Sequence, residues 1–133
     1  MRRRIPPTPD HATDDRWRDE RRARDRAGRR AEWIAALALR LRGYRILGRR
    51  EKTPLGEIDL IAVRGRRVAF VEVKRRASEE AAEAAITDAQ RARIRRAAQL
   101  WLARNARYQT HEQGFDVIFL IGRRWPRHVE NGL

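Results

Sequence analysis

The segment that most restricts the fold runs from residue 57 to residue 74. Residues 57–63 alternate in period two, residues 64–67 contain Gly65, and residues 68–74 form a second β-prone run. The spacing predicts an antiparallel hairpin. With Gly65 and Arg66 at the centre of an even-length turn, Val63 faces Val68, Asp59 faces Glu72, and Glu57 faces Lys74. Side chains alternate along a strand, so Glu57 and Asp59 share one face of the first strand, and Glu72 and Lys74 share one face of the second.

That register has an energetic consequence. Directly opposed residues have Cβ atoms about 4.5–5.5 Å apart, and two carboxylates near 5 Å repel by roughly 3 kcal/mol at an effective dielectric of about 20. A domain whose whole stability is about 5–15 kcal/mol tolerates this if a divalent cation or a shared proton neutralises the pair. Hard oxygen donors on a rigid hairpin suit Mg²⁺ or Mn²⁺. A plain structural reading also exists: Glu57 pairs with Lys74, and arginines satisfy Asp59 and Glu72. For any single acid that reading is the simpler one, and Glu57 is the member expected to be structural. For the set it is less economical, because Ile58, Leu60, Val71 and Val73 make both strands look central, where unused charge is expensive.

Around the hairpin, Ala31, Ile34, Ala35, Ala38, Leu39 and Leu41 recur at helical spacing over 28–42, and Gly43 supplies a stop. Residues 44–47 are β-prone, with a turn at Pro54 and Gly56. Asp88 is the expected N-cap of a helix through Asn105 that buries Ile94, Ala98, Trp101 and Leu102, and its other face presents Arg91, Arg95, Arg96 and Gln99. Residues 115–121 read as a buried strand, and 123–133 as a closing segment with room for an edge strand. The expected order is α-β-β-β-α-β in an α/β domain over 27–133. Residues 1–26, with Pro6, Pro7, Pro9 and mixed charges around Trp17, are expected to form a flexible basic tail.

The chain contains no cysteine, which removes disulfides, zinc-thiolate sites and a cysteine nucleophile from consideration. No apolar run is long enough for a membrane span, and none follows the N-terminal arginines as a signal peptide requires, so a cytoplasmic protein without a membrane partner is expected. The formal net charge is +14. Met1–Arg30 carries 11 arginines and 6 acids, which leaves +9 on Ala31–Leu133. Charge of that size points to a polyanion, with nucleic acid first. Only Lys52 and Lys74 are lysines, so arginine-rich codon usage accounts for part of the excess. Neither a glycine-rich phosphate loop nor an internal repeat is present.

Gly56-Glu57-Ile58-Asp59-Leu60-Ile61, Phe70-Val71-Glu72-Val73-Lys74, Gly43-Tyr44 and Phe115-Asp116-Val117 together resemble the YraN family of uncharacterised bacterial proteins, from about Gly28 onward. That family is similar to PD-(D/E)XK restriction-endonuclease-like nucleases, especially archaeal Holliday-junction resolvases. The resemblance implies a mixed sheet flanked by helices, with Asp59, Glu72 and Lys74 on the D...ExK signature. It also brings Glu32 of the first helix towards the metal, and it implies action as a homodimer on branched DNA. YraN-like sequences often carry lysine near the position of Gln90, where this chain departs from them.

The reading that follows is metal-dependent hydrolysis of DNA phosphodiesters. Asp59, Glu72 and the Val73 carbonyl would hold Mg²⁺ or Mn²⁺, with Glu32 contributing directly or through water, and Lys74 would orient the nucleophile. Arg75, Arg76, Arg91, Arg95 and Arg96 are candidates for phosphate contact, against the alternative of a solvated helix face. A non-catalytic nucleic-acid-binding module on the same scaffold is the rival reading.

Overall fold

The computed structural model describes residues 11–133. The chain divides into two compact units, Met1–Arg30 and Ala31–Leu133. Residues 1–10 of the expected tail lie outside the described residues. From His11 onward the backbone is helical, so helix α1 (His11–Leu41) starts well before the expected residue 28. Arginine and alanine favour helix, and Arg16 pairs with Glu20 one turn away at 3.5 Å.

In the second unit, α1 ends in a Schellman motif. The Tyr44 N–H donates to the Leu39 carbonyl and the Gly43 N–H to the Arg40 carbonyl, both at 3.0 Å. Gly43 takes φ +89°, a conformation glycine reaches without penalty. The chain continues through β1 (Arg45–Thr53), β2 (Gly56–Arg64), β3 (Arg67–Arg76), α2 (Glu79–Ala84), α3 (Asp88–Arg104), a 3-10 turn (Ala106–Tyr108), β4 (Glu112–Ile121) and β5 (Arg127–Val129).

The strands form one sheet in the order β1-β2-β3-β4-β5. All neighbours are antiparallel except β3 and β4, which are parallel over their full lengths. A parallel pair needs a long crossover, and α2 with α3 provides it. The six-residue α2 was not expected from the sequence; Ser78 caps it by accepting from the Ala81 N–H. The expected cap of α3 moves by one residue: Thr87, not Asp88, accepts the Gln90 N–H at 3.2 Å.

Apolar side chains fill both faces of the sheet. On one, Ile61, Val63, Val68, Phe70, Val117 and Phe119 pack against Ile94, Ala98, Trp101 and Leu102 of α3. On the other, Leu60, Ala62, Ala69, Val71, Ile118 and Leu120 pack against Ala31, Ala35, Ala36 and Leu39 of α1. The small residues of α1 allow its backbone close to the sheet. The result is a mixed five-stranded sheet flanked by helices, consistent with the restriction-endonuclease-like fold that the resemblance implied.

Candidate metal centre

The hairpin has the register read from the sequence over part of its length: Arg64 pairs with Arg67, Val63 with Val68, and Leu60 with Val71. There the ladder ends, one step before the expected Asp59–Glu72 pair. Beyond it β2 remains paired with β1 down to Gly56, and β3 remains paired with β4 up to Arg76. The two central strands therefore part at Asp59 and leave a fork. The alternation of β2 breaks at the same residue, since Ile58 packs on the α3 face and Leu60, two residues on, packs on the α1 face.

Asp59 bridges the fork. Its Oδ2 accepts the Val73 N–H at 2.8 Å, in place of a ladder carbonyl. Glu72, which is buried, lies close enough to share a hydrogen bond with Asp59, and Glu32 of α1 adds its own field. Burial first, then the Glu72 charge, push the Asp59 carboxyl up to about 7, against the opposing pull of the Val73 N–H. Two carboxylates that share one site do not both ionise freely.

Lys74 is equally confined. Its Nζ lies 3.2 Å from Glu72 Oε1, and both side chains are about one-tenth exposed. A second partner comes from α3: the Gln90 amide accepts the Thr87 N–H in one orientation, at 3.3 Å, and turned over it donates to the Ala85 carbonyl at 2.9 Å and sets its oxygen 3.1 Å from Lys74 Nζ. The ammonium is thus fixed from two directions. Sequence reasoning missed Gln90 as a partner, because only the crossover brings α3 over the end of β3.

Glu32 and Glu57 complete the set. One carboxylate oxygen from each of Glu32, Glu57 and Asp59 falls within 4.8 Å of the others. Glu57 was expected to pair with Lys74 in a structural role; instead it faces the same space as Glu32 and Asp59, while Lys74 takes Glu72. The Arg50 Nε donates to Glu32 Oε2 at 2.7 Å. Arg50 has φ +47°, uncommon for a side chain of this size, and this was the signal at β1 that the sequence alone could not give.

The remaining predicted residues divide. Arg75 and Arg76 are exposed just beyond Lys74. Arg91 pairs with Asp88 at 3.1 Å, and Arg95 lays its guanidinium 4.4 Å over the Phe115 ring and donates to the Leu133 carbonyl. Arg96 stays exposed on the α3 surface.

A second buried charge cluster sits on the α1 face, around Asp116 of β4. Arg67 holds it by two bonds of 2.7 Å, His128 Nε2 lies at 2.8 Å, and the Asn131 N–H donates at 2.9 Å. Burial alone would raise the Asp116 carboxyl, but the Arg67, His128 and Asn131 bonds outweigh it and hold it well below the usual carboxylate range. Arg67 is held more firmly protonated, chiefly by the same bonds to Asp116. Every Asp116 oxygen is satisfied, as suits a fastener between β3, β4 and β5.

The model of the uncharacterised protein family UPF0102 matches residues 31–120, which contain the fork and all its acids. The chain belongs to UPF0102. Its similarity to relatives is extensive: it is 58% identical over 107 residues to a UPF0102 protein of Chelativorans sp. (strain BNC1), covering 80% of this chain and 86% of that one. A UPF0102 protein of Mesorhizobium japonicum is 53% identical over 106 residues, 80% of this chain and 85% of its own. One from Parvibaculum lavamentivorans is 49% identical over 104 residues, 78% of each chain. The family expected from the YraN resemblance thus holds. No described helix of this UPF0102 member is long and apolar enough to cross a membrane.

Proposed function

We propose that this UPF0102 protein is a metal-dependent nuclease that hydrolyses DNA phosphodiester bonds, acting on branched DNA as a cytoplasmic, homodimeric enzyme of repair or recombination. The observation that carries the reading is the fork itself: half-buried Asp59 and buried Glu72 lie side by side, and Lys74 Nζ sits 3.2 Å from Glu72. The donor set fits Mg²⁺ or Mn²⁺, because oxygens of Glu32, Glu57 and Asp59 crowd within 4.8 Å of one another, where burial and then the Glu72 charge push the Asp59 carboxyl up to about 7. Asp59, Glu72 and the Val73 carbonyl would hold the ion, with Glu32 and now Glu57 as further oxygen donors. A bound ion would polarise a phosphoryl oxygen and lower the pKa of a water.

The chain's own groups do the rest. Lys74, steadied by Glu72 and Gln90, presents an ammonium to a water nucleophile and to negative charge that grows in the transition state. A lysine can also lose its proton in a base role, which arginine cannot. Arg75, Arg76 and Arg96 offer exposed guanidinium groups for phosphates, while Arg91 and Arg95 would first release Asp88 and Phe115.

The test is incubation of branched, single-stranded and duplex DNA with Mg²⁺ or Mn²⁺. The expected result is cutting that disappears in Asp59→Ala and Lys74→Ala while binding persists. Binding without metal-dependent cutting on any of these substrates refutes the enzyme and leaves the rival, a binding module on a nuclease scaffold.

A further inference from the structure

Among the described residues, Trp125 is the most exposed large apolar side chain, at 68%. It stands on the turn between β4 and β5, which leaves the sheet through Gly122 at φ +54° and returns at the buried Pro126. Leaving an indole in water is unfavourable, and its neighbours indicate what would cover it. Arg123 and Arg124 precede it and Arg127 follows. Glu79 of α2 steadies the last two, at 3.7 Å from Arg124 and 3.5 Å from Arg127.

The turn also lies beside the fork's exit. In the parallel ladder Lys74 pairs with Phe119 and Arg76 with Ile121, so the strand that carries Lys74 ends where this turn begins. An open cleft of about 530 Å³ lies there, lined by residues 77–80 and 121–124, with Glu79 and Glu80 on one side and Arg123 and Arg124 on the other. Guanidinium groups of Arg123, Arg124 and Arg127 for phosphates, an open cleft beside the turn, and an exposed indole next in sequence to Arg124 make a combination that suits single-stranded nucleic acid.

We infer that Trp125 is a stacking platform for an unpaired base of DNA led into the fork across the turn at residues 122–126. It gives the proposed nuclease a preference for substrates with single-stranded segments. The inference rests on the DNA-binding part of that reading and is independent of cleavage.

The test measures binding of the full chain, in EDTA, to a labelled duplex carrying a single-stranded flap and to a fully paired duplex of equal length. Trp125→Ala should weaken flap binding by about 5- to 150-fold, the range for loss of one stacked base, and leave duplex binding within about twofold. Trp125→Phe, which keeps a ring, should retain most of the flap affinity. Equal affinity of wild type and Trp125→Ala for the flap overturns the inference, as does an equal loss on both DNAs. Failure of the nuclease reading looks different: no metal-dependent cutting by wild type, with the flap preference intact. A wild type that binds neither DNA overturns both.

Discussion

Replacing Asp59 with asparagine removes the charge that the fork tolerates least and keeps the shape. The amide oxygen still accepts the Val73 N–H, and its NH₂ gains a donor role towards Glu72. Burial and Glu72 raise Asp59 from 3.8 to about 7, so the folded protein binds a proton that the unfolded chain has released. The native state holds more protons between about pH 4 and pH 7, and stability therefore falls as pH rises through that window and is flat above it. Three pKa units correspond to about 4 kcal/mol, and water entering around the ionised pair reduces this to roughly 2 kcal/mol. Asp59→Asn should recover that amount at pH 8 and little at pH 4.5. For a domain of this size the gain corresponds to roughly 6–10 °C in melting temperature. Urea titration of both proteins in EDTA at the two pH values measures it. A variant that is less stable at pH 8, or that keeps the wild-type decline between pH 4.5 and 7.5, refutes the account of the fork as electrostatically strained. Mg²⁺ supplies a second readout: at ten times its dissociation constant it should stabilise the wild type by about 1.4 kcal/mol and the variant far less.

The Asp116 cluster gives the opposite pH response. Its carboxyl is depressed in the fold, so its contribution is present above the unfolded value near 4 and disappears as pH falls towards the folded value. Arg67→Ala, which leaves Asp116 buried without its bidentate partner, should cost about 3–5 kcal/mol in urea unfolding at pH 7. Gly114→Ala should cost a part of that, since a Cβ there collides with the Arg67 guanidinium; unchanged stability would mean the pair shifts freely. Thr87→Ala removes the α3 cap and should lower stability by about 1 kcal/mol, read by the same titration. If about six phosphates are engaged, DNA affinity should fall about a thousandfold from 50 to 200 mM salt, and a flat salt response would reject polyanion binding.

Much of this was legible in the sequence where a local constraint pins the chain. The Gly65 turn sets the pairing from Arg64–Arg67 to Leu60–Val71, and the strand period places Glu72 and Lys74 together. Gly43 marks the end of α1 for a reason confined to its own backbone. What escaped depends on elements far along the chain. Where β2 leaves β3 is decided by the competing ladders to β1 and β4, so the sequence suggested a cross-strand Asp59–Glu72 pair where the fold has a gap bridged by one carboxylate. The approach of Gln90 to Lys74 needs the whole crossover. Glu57 looked structural because its relation to Glu32 passes through α1, and the cluster around Asp116 joins residues from three strands that no short window contains.

The parting of β2 from β3 also has a mechanical side. Asp59 and Glu57 ride on one ribbon and Glu72 and Lys74 on another, and past the last ladder pair, Leu60 with Val71, a single carboxylate bond from Asp59 to the Val73 N–H ties them. Without that tie the two acids would be spaced by no ladder of their own, although the outer pairings to β1 and β4 would stay whole.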